Sequence, residues 1–462
     1  MAVPAPYIEN DCPILYIILA KIENPAHISS NIMKRKLGFF ERALLISDRY
    51  APFHIVSVLR LANAPEPHAI RRSLQLLQSR HPFLSARLLE ERGVTYFASL
   101  VEPRLPLKIL PRWNDEHWIQ LTEVELENRI DLTTGPMFRC TYLYNSDQPQ
   151  AEIIFAISHF IADSASVSRL MQELLTNCAS ASDKNSHTVK LLSPAPPAES
   201  RFPSAFRGVS LSMRKMRYAA GQMADEISHR LQTRGKRTPP VHEKKSRGHI
   251  LSAQFPEDLI EPFAQRARRE RVTLNSALNA ALMLAVNRHL YAGQRLSMRT
   301  FAFADLRPYV QPPLEPENFA CYISMLRYTV TVAGGMDFWS LARDLHGKMY
   351  SSFKSGEKFI ANAMAEPLMK MVTQTRAFRM GATALNYNGV VPIRSDYGEI
   401  KVLGVYGFVS VFDLGPELSS QAQWFGDQLF WDFMYLEADM NREEAGVIVE
   451  EIMSIVRLNA IS

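Results

Sequence analysis

In both halves of this 462-residue chain short apolar runs pass into residues spaced for one face of a helix, and that alternation limits the fold more than any other feature. Ala151 to Ile157 (AEIIFAI) carries a single charge and reads as a mostly buried strand. Ser164 to Leu175 then sets Val167, Leu170, Met171, Leu174 and Leu175 at helical spacing, with Asp163 or Ser164 able to cap the first turn. Earlier, His54 to Leu61 reads as a strand, and Ile70, Leu74 and Leu77 stripe a helix that must stop before Pro82. The second half repeats the design. Ile250 to Phe255 reads as a strand, Asp258 to Arg271 as a helix, and Thr273 as the cap of a second helix along Leu274, Leu278, Ala281, Leu282, Ala285 and Val286. Strands are expected near Met298–Ala304, Tyr322–Val332 and Val402–Phe412, and a final helix over Glu443–Leu458. The expected fold class is therefore α/β, with two similar two-layer α+β lobes, residues 37–190 and 250–462. A terminal extension (1–36) precedes them and a basic, Pro-containing linker (191–249) joins them.

The length suits two lobes, since single cores stop growing near ~250–300 residues. The net charge of +5 is small for such a chain, and no zinc-finger, helix-turn-helix or RNA-binding pattern occurs, so no nucleic-acid partner is expected. Cys12, Cys140, Cys178 and Cys321 lack metal-ligand spacing and suit a reducing compartment. The apolar run Cys12–Ala20 is too short to span a bilayer, which takes about 20 residues. Glu9 and Asp11 precede it, with no Lys or Arg, unlike a secretory signal. A cytoplasmic location follows as the expectation. Within the linker, Pro194-Ala195-Pro196-Pro197 opens the stretch and Pro239-Pro240 sits near its end. Arg201 to Ile250 holds twelve Lys or Arg against three acids, Asp225, Glu226 and Glu243. A solvated linker is the plainest reading; contact with an anionic membrane surface and a dock for an acidic carrier protein are the functional ones. Val209 to Gln232 could form a helix, although its apolar face reads as broken.

Ile157-Ser158-His159-Phe160-Ile161-Ala162-Asp163-Ser164 places a histidine and an aspartate four apart where the strand exits. A histidine there is held firmly yet can face a cleft, and its ordinary pKa suits a general base. A hydrogen-bonded structural histidine is the competing reading. No Gly-x-Ser-x-Gly elbow, phosphate loop or Gly-x-Gly-x-x-Gly turn is present, so no covalent acyl-enzyme, metal, nicotinamide or flavin is expected.

These pieces resemble the superfamily of chloramphenicol acetyltransferase, peptide-synthetase condensation domains and polyketide-associated acyltransferases. Its signature is His-His-x-x-x-Asp-Gly. The segment here keeps the second His and the Asp, with Ser158 and Ser164 at the other two positions. Arg80-His81-Pro82-Phe83-Leu84 resembles the Arg-His-x-x-Leu motif, and Asp305-Leu306-Arg307-Pro308 holds an arginine in a similar setting. Phe319 to Leu326 resembles Gly-x-Phe-Val-Asn-Thr-Leu loosely, and Leu385-Asn386-Tyr387-Asn388-Gly389 is close to Phe-Asn-Tyr-x-Gly. The resemblance runs from about Leu37 to the C-terminus.

It implies two lobes with an active-site tunnel between them. It also implies transfer of an acyl group from a thioester, acyl-CoA or acyl carrier protein, to a hydroxyl of a lipid, sugar or polyketide alcohol. His159 would be the general base. Asp163 would pair with Arg307 to fix the histidine loop, or would merely cap a helix. Asn386, Tyr387 and Gly389 would lie near the oxyanion or substrate, or form a strand edge with a turn. No resident cofactor is implied; the thioester is a co-substrate. The missing first histidine, and the absence of the last condensation-domain motif, favour ester formation by a free-standing, monomeric acyltransferase. An amide-forming condensation enzyme and a non-catalytic carrier-binding module are the alternatives. Met364, Leu368, Met369, Met371 and Val372 could line an acyl tunnel or belong to the core.

Overall fold

Strands that are apolar on both faces need cover from two sides, and the chain supplies it with two six-stranded sheets and the helices packed on them. The structure is a computed structural model that describes residues 33–180, 190–235, 246–376 and 379–461. The first part of the chain runs β1 (Lys34–Lys36), α1 (Phe39–Tyr50), β2 (His54–Ala62), α2 (Pro67–Arg80), β3 (Ala86–Glu91), β4 (Val94–Ser99), β5 (Leu107–Pro111), α3 (His117–Glu127), β6 (Phe138–Tyr144), β7 (Gln150–Ser158) and α4 (Ser164–Ala179). After α5 (Gly208–Thr233) come β8 (Gly248–Phe255), α6 (Glu257–Arg269), α7 (Leu274–Leu290), β9 (Leu296–Asp305), β10 (Ile323–Val332), α8 (Phe338–Lys354) and α9 (Glu357–Thr375). The chain ends with β11 (Thr383–Val390), β12 (Asp396–Tyr397), β13 (Ile400–Val409), β14 (Leu418–Phe425), β15 (Gln428–Leu436) and α10 (Arg442–Ile461). The fold is α/β and two-lobed, as expected.

The first sheet has the order β12-β13-β2-β7-β6-β5, the second β10-β9-β11-β14-β15-β8, and β1-β4-β3 form a small third sheet. β11 runs parallel to both of its neighbours, β9 and β14. Thr273 caps α7 by accepting from the Ser276 N–H at 3.2 Å, as its position before the apolar stripe predicts. Buried residues run round α7 from Ser276 to Asn287, because α6, α8 and α10 pack against it.

The sheets do not respect a boundary at residue 250. β12 and β13 extend the first sheet, with β13 antiparallel to β2 from Val409↔Ile55 to Lys401↔Ala62. Val402–Phe412 is legible as a strand, but periodicity cannot say which distant edge it joins. Where β13 runs close to β14, Gly407 has no side chain to spare: a Cβ there would lie 1.8 Å from Gln421 Nε2. The extension also ends earlier than residue 36, since Lys34–Lys36 pair with β4 and Arg35 binds Glu41 through both guanidinium nitrogens, at 2.9 and 2.5 Å. The run Cys12–Ala20 and Pro239-Pro240 lie outside the described residues.

The stretch expected to be a linker contains α5, a 26-residue helix. Its polar side faces inward. Arg299, buried beneath it, binds Asp225 at 3.0 Å and Glu226 at 2.7 Å, and Arg327 donates to Gln222 at 2.6 Å. His229 shares a 3.2 Å hydrogen bond with Ser297 Oγ. Two of the three acids in the basic stretch are thus consumed in docking α5 onto the second lobe. Among the described residues no helix is long and apolar enough to cross a membrane.

Arg299→Ala removes both ion pairs and should loosen α5 without disturbing the second core. Hydrogen bonds to charged groups are worth roughly 1.5–3 kcal/mol, so trypsin should cut within α5 at least about tenfold faster in native buffer. An unchanged cleavage rate would mean that other contacts hold the helix.

Candidate active site

β7 lies between β2 and β6 inside the first sheet, so its exit is fixed by neighbours on both sides. The Ser158 N–H donates to Met137 O at 3.0 Å, His159 N–H to Phe53 O at 3.4 Å, and Ile161 N–H to Ser158 O at 3.1 Å. Phe160, Ile161 and Ala162 are buried, which leaves His159 as the half-buried residue of the turn. Its Nδ1 lies 3.0 Å from Ala162 O. A carbonyl oxygen only accepts, so Nδ1 carries the hydrogen and Nε2 the lone pair. Nε2 has no hydrogen-bond partner among the described residues. The ring stacks on Phe53, with centroids 5.5 Å apart and planes 10° from parallel. Burial pushes the His159 pKa below its usual value, outweighing the Ala162 hydrogen bond and the Asp163 charge. The imidazole is therefore neutral at neutral pH.

Asp163 does not touch that ring. Its carboxylate receives Arg307 in a two-pronged pair at 2.8 and 3.0 Å, the Tyr322 N–H at 2.8 Å and the Ser166 N–H at 3.0 Å. The ion pair and the helix cap, posed as alternatives, are both present. Burial alone would raise the Asp163 pKa, but the Arg307 charge and these hydrogen bonds hold it below the usual carboxylate value. Arg307 also donates to Ala320 O at 2.7 Å and Ser166 Oγ at 2.8 Å. Three of the sequence motifs thus converge on one buried node that fixes the segment between β7 and α4. A fourth does not reach the site: Arg80 and His81 both bind Glu173, at 3.1 and 2.9 Å, and pin the end of α2 to α4.

Between the lobes lies a cavity of about 890 Å³, walled by His159, Phe53 and Ser164 on one side and by Phe301, Met325 and Asn386 on the other. That is near the upper end of the ~300–1,000 Å³ typical of ligand pockets. Met364, Leu368, Met369, Met371 and Val372, all on α9, are also on its wall.

Asn386 sits on an interior strand rather than a sheet edge. Its Nδ2 donates to Ser164 Oγ at 2.9 Å and to Gln421 Oε1 at 3.3 Å, while Ser164 Oγ donates to Gln421 Oε1 at 3.0 Å. Both amide hydrogens are committed, so Asn386 can serve an oxyanion only by releasing one of them. Tyr387 is on the cavity wall and its hydroxyl accepts from Trp424 Nε1 at 3.0 Å. Gly389 has φ +66° and lies where the β11–β14 register shifts; it shapes a bulge rather than the cavity wall. Sequence reasoning missed Phe53 and Gln421. The signal for Gln421 was the polarity of Leu418–Phe425 (LSSQAQWF), too polar for an interior strand unless one face meets a polar wall. No group of three or more His, Cys, Asp or Glu among the described residues could hold a metal ion.

The two six-stranded sheets and their helices form the fold of condensation domains and chloramphenicol-acetyltransferase-like proteins. Residues 251–427 match the family described as phthiocerol/phthiodiolone dimycocerosyl transferase C-terminus. Among solved structures, the chain is similar to polyketide synthase associated protein 5 from Mycobacterium tuberculosis, with TM-score 0.67 and 15% identity over 92% of this chain and 98% of that one. It is similar also to a trichothecene 15-O-acetyltransferase from Fusarium sporotrichioides, with TM-score 0.72 and 11% identity over 93% and 96% of the two chains. Among curated sequences, a linear gramicidin synthase from Brevibacillus parabrevis is 25% identical over 174 residues, 36% of this chain. The chain spans about 3% of the length of the curated relatives it matches.

Arg307→Met strands the buried Asp163 carboxylate and should lower the unfolding free energy in urea by about 3–5 kcal/mol. Asp163→Asn leaves Arg307 its 3.1 Å pair with Asp305 and should cost less. The double substitution should cost less than the two single losses together. Additive losses would contradict direct pairing.

Proposed function

We propose that this protein is an O-acyltransferase that moves an acyl group from a thioester, on coenzyme A or a carrier protein, to a hydroxyl acceptor. The observation that carries this reading is a neutral imidazole, hydrogen on Nδ1 and lone pair on Nε2, on the wall of a cavity that both lobes enclose. As the acceptor oxygen attacks the thioester carbonyl, Nε2 takes the hydroxyl proton, because an alcohol is too weak an acid to ionise first. The tetrahedral intermediate collapses with loss of the thiolate, which receives the proton back from the imidazolium. The products are an ester and a free thiol, with no acyl-enzyme. Holding both reactants in one cavity adds the advantage of proximity, and the apolar side chains of α9 suit an aliphatic acyl chain. Asp163 and Arg307 act on this chemistry through the position of the histidine loop.

An amine acceptor is the second reading, favoured by the similarity to solved condensation domains such as the first one of the calcium-dependent antibiotic synthetase (TM-score 0.68, 14% identity). Matched alcohols and amines offered with one acyl thioester separate the two.

His159→Ala should keep the fold and unfolding midpoint while lowering kcat/KM by roughly 10²–10⁴-fold; transfer at the wild-type rate would refute the assignment. The base must be unprotonated and burial lowers its pKa, so activity should hold as pH falls through 6.5. The acid limb of kcat/KM should appear only below that value. A limb above pH 6.5 would contradict a buried, neutral base.

A further inference from the structure

A helix on a protein surface ordinarily turns its apolar side inward; α5 does the reverse. Val209, Met213, Met216, Met223, Ile227 and Leu231 are each 55–76% exposed. At 3.6 residues per turn they fall on one side of the helix, with the exposed Ala220 and Ala224 between them. The apolar face read as broken in the sequence is continuous from the first turn to the last, because Gln222, Asp225, Glu226 and His229 occupy the opposite, docked side. By the same spacing Arg217, Arg230 and Arg234 border the ridge, Arg230 also binding Glu226 at 2.7 Å. Both acids of the helix are turned toward Arg299. The outward surface is therefore an apolar ridge edged with positive charge. It also adjoins the catalytic cavity, since Met223, Ile227 and Arg230 belong to the cavity wall as well as to the exposed side of α5.

We propose that α5 docks the protein on an anionic lipid bilayer, lying in the headgroup zone with its ridge in the acyl boundary and the adjoining cavity rim turned toward the lipid. Charge and polarity select this occupant: a long helix with an apolar side and Lys or Arg along its flanks is the pattern that binds anionic membrane surfaces. The docking goes beyond the acyl-transfer reading and stands without it.

The test is flotation of the whole protein with phosphatidylcholine vesicles, with and without phosphatidylglycerol. The wild type should float with the anionic vesicles, remain behind with phosphatidylcholine alone, and dissociate as salt is raised. Met213→Asp/Met216→Asp alters two ridge residues outside the cavity wall. It should keep the wild-type circular dichroism and any activity on a soluble donor, yet bind anionic vesicles about tenfold or more weakly. Failure of the wild type to float, or equal flotation of the variant, would overturn the proposal. So would a concentration-dependent wild-type dimer that the variant abolishes, because the ridge would then be a protein interface. Loss of transfer activity in His159→Ala without loss of flotation keeps the two readings separable.

Discussion

The Asp163–Arg307 pair is the contact from which the rest of the site takes its position. It joins residues 144 apart in sequence, and both partners are almost wholly withdrawn from water. Burying two charges is expensive unless geometry and further hydrogen bonds compensate. Here the guanidinium meets the carboxylate with two nitrogens, and the remaining lone pairs take the Tyr322 and Ser166 amides. The node ties the start of α4, the end of β9 and the entry to β10 together. Because Asp163 is also the cap of α4, the turn that carries His159 cannot shift without disturbing the node. The aspartate of the motif thus serves the histidine by holding its loop, while the Ala162 carbonyl and Phe53 set the ring itself.

A second, more yielding connection closes the cavity from the opposite side. The Ser164 hydroxyl links the first turn of α4 to Asn386 and Gln421 on the second sheet. Gly407 permits this, since any side chain there would displace the Gln421 amide. The bridge consists of neutral hydrogen bonds, each worth about 0.5–1.5 kcal/mol net, whereas leaving the Asp163 carboxylate buried without Arg307 would cost about 3–5 kcal/mol.

Most of the regular elements were legible from local pattern. The buried run before His159, the capped helix after Thr273 and the alternation in both halves all follow from hydrophobic spacing and end signals. What escaped was non-local. Val402–Phe412 could be read as a strand but not as a member of the first lobe's sheet, since register partners across three hundred residues leave no local trace. Gln421 lies in a strand whose polarity makes sense only against a cavity. α5 was masked by its own inversion, because its buried side is polar and its exposed side apolar, the opposite of what spacing rules assume. At the site, the motif residues His159, Asp163 and Arg307 were readable. The commitment of Asn386 to a bridge was not.

The central claim is that His159 presents a neutral Nε2 lone pair to the cavity. Nitrogen-15 NMR of histidine-labelled protein, with the His159 signals assigned by their loss in His159→Gln, reads this directly. The expected result is a neutral ring at pH 6.5 with the hydrogen on Nδ1, protonating only at lower pH. An imidazolium at pH 6.5, or a hydrogen on Nε2, would contradict the account.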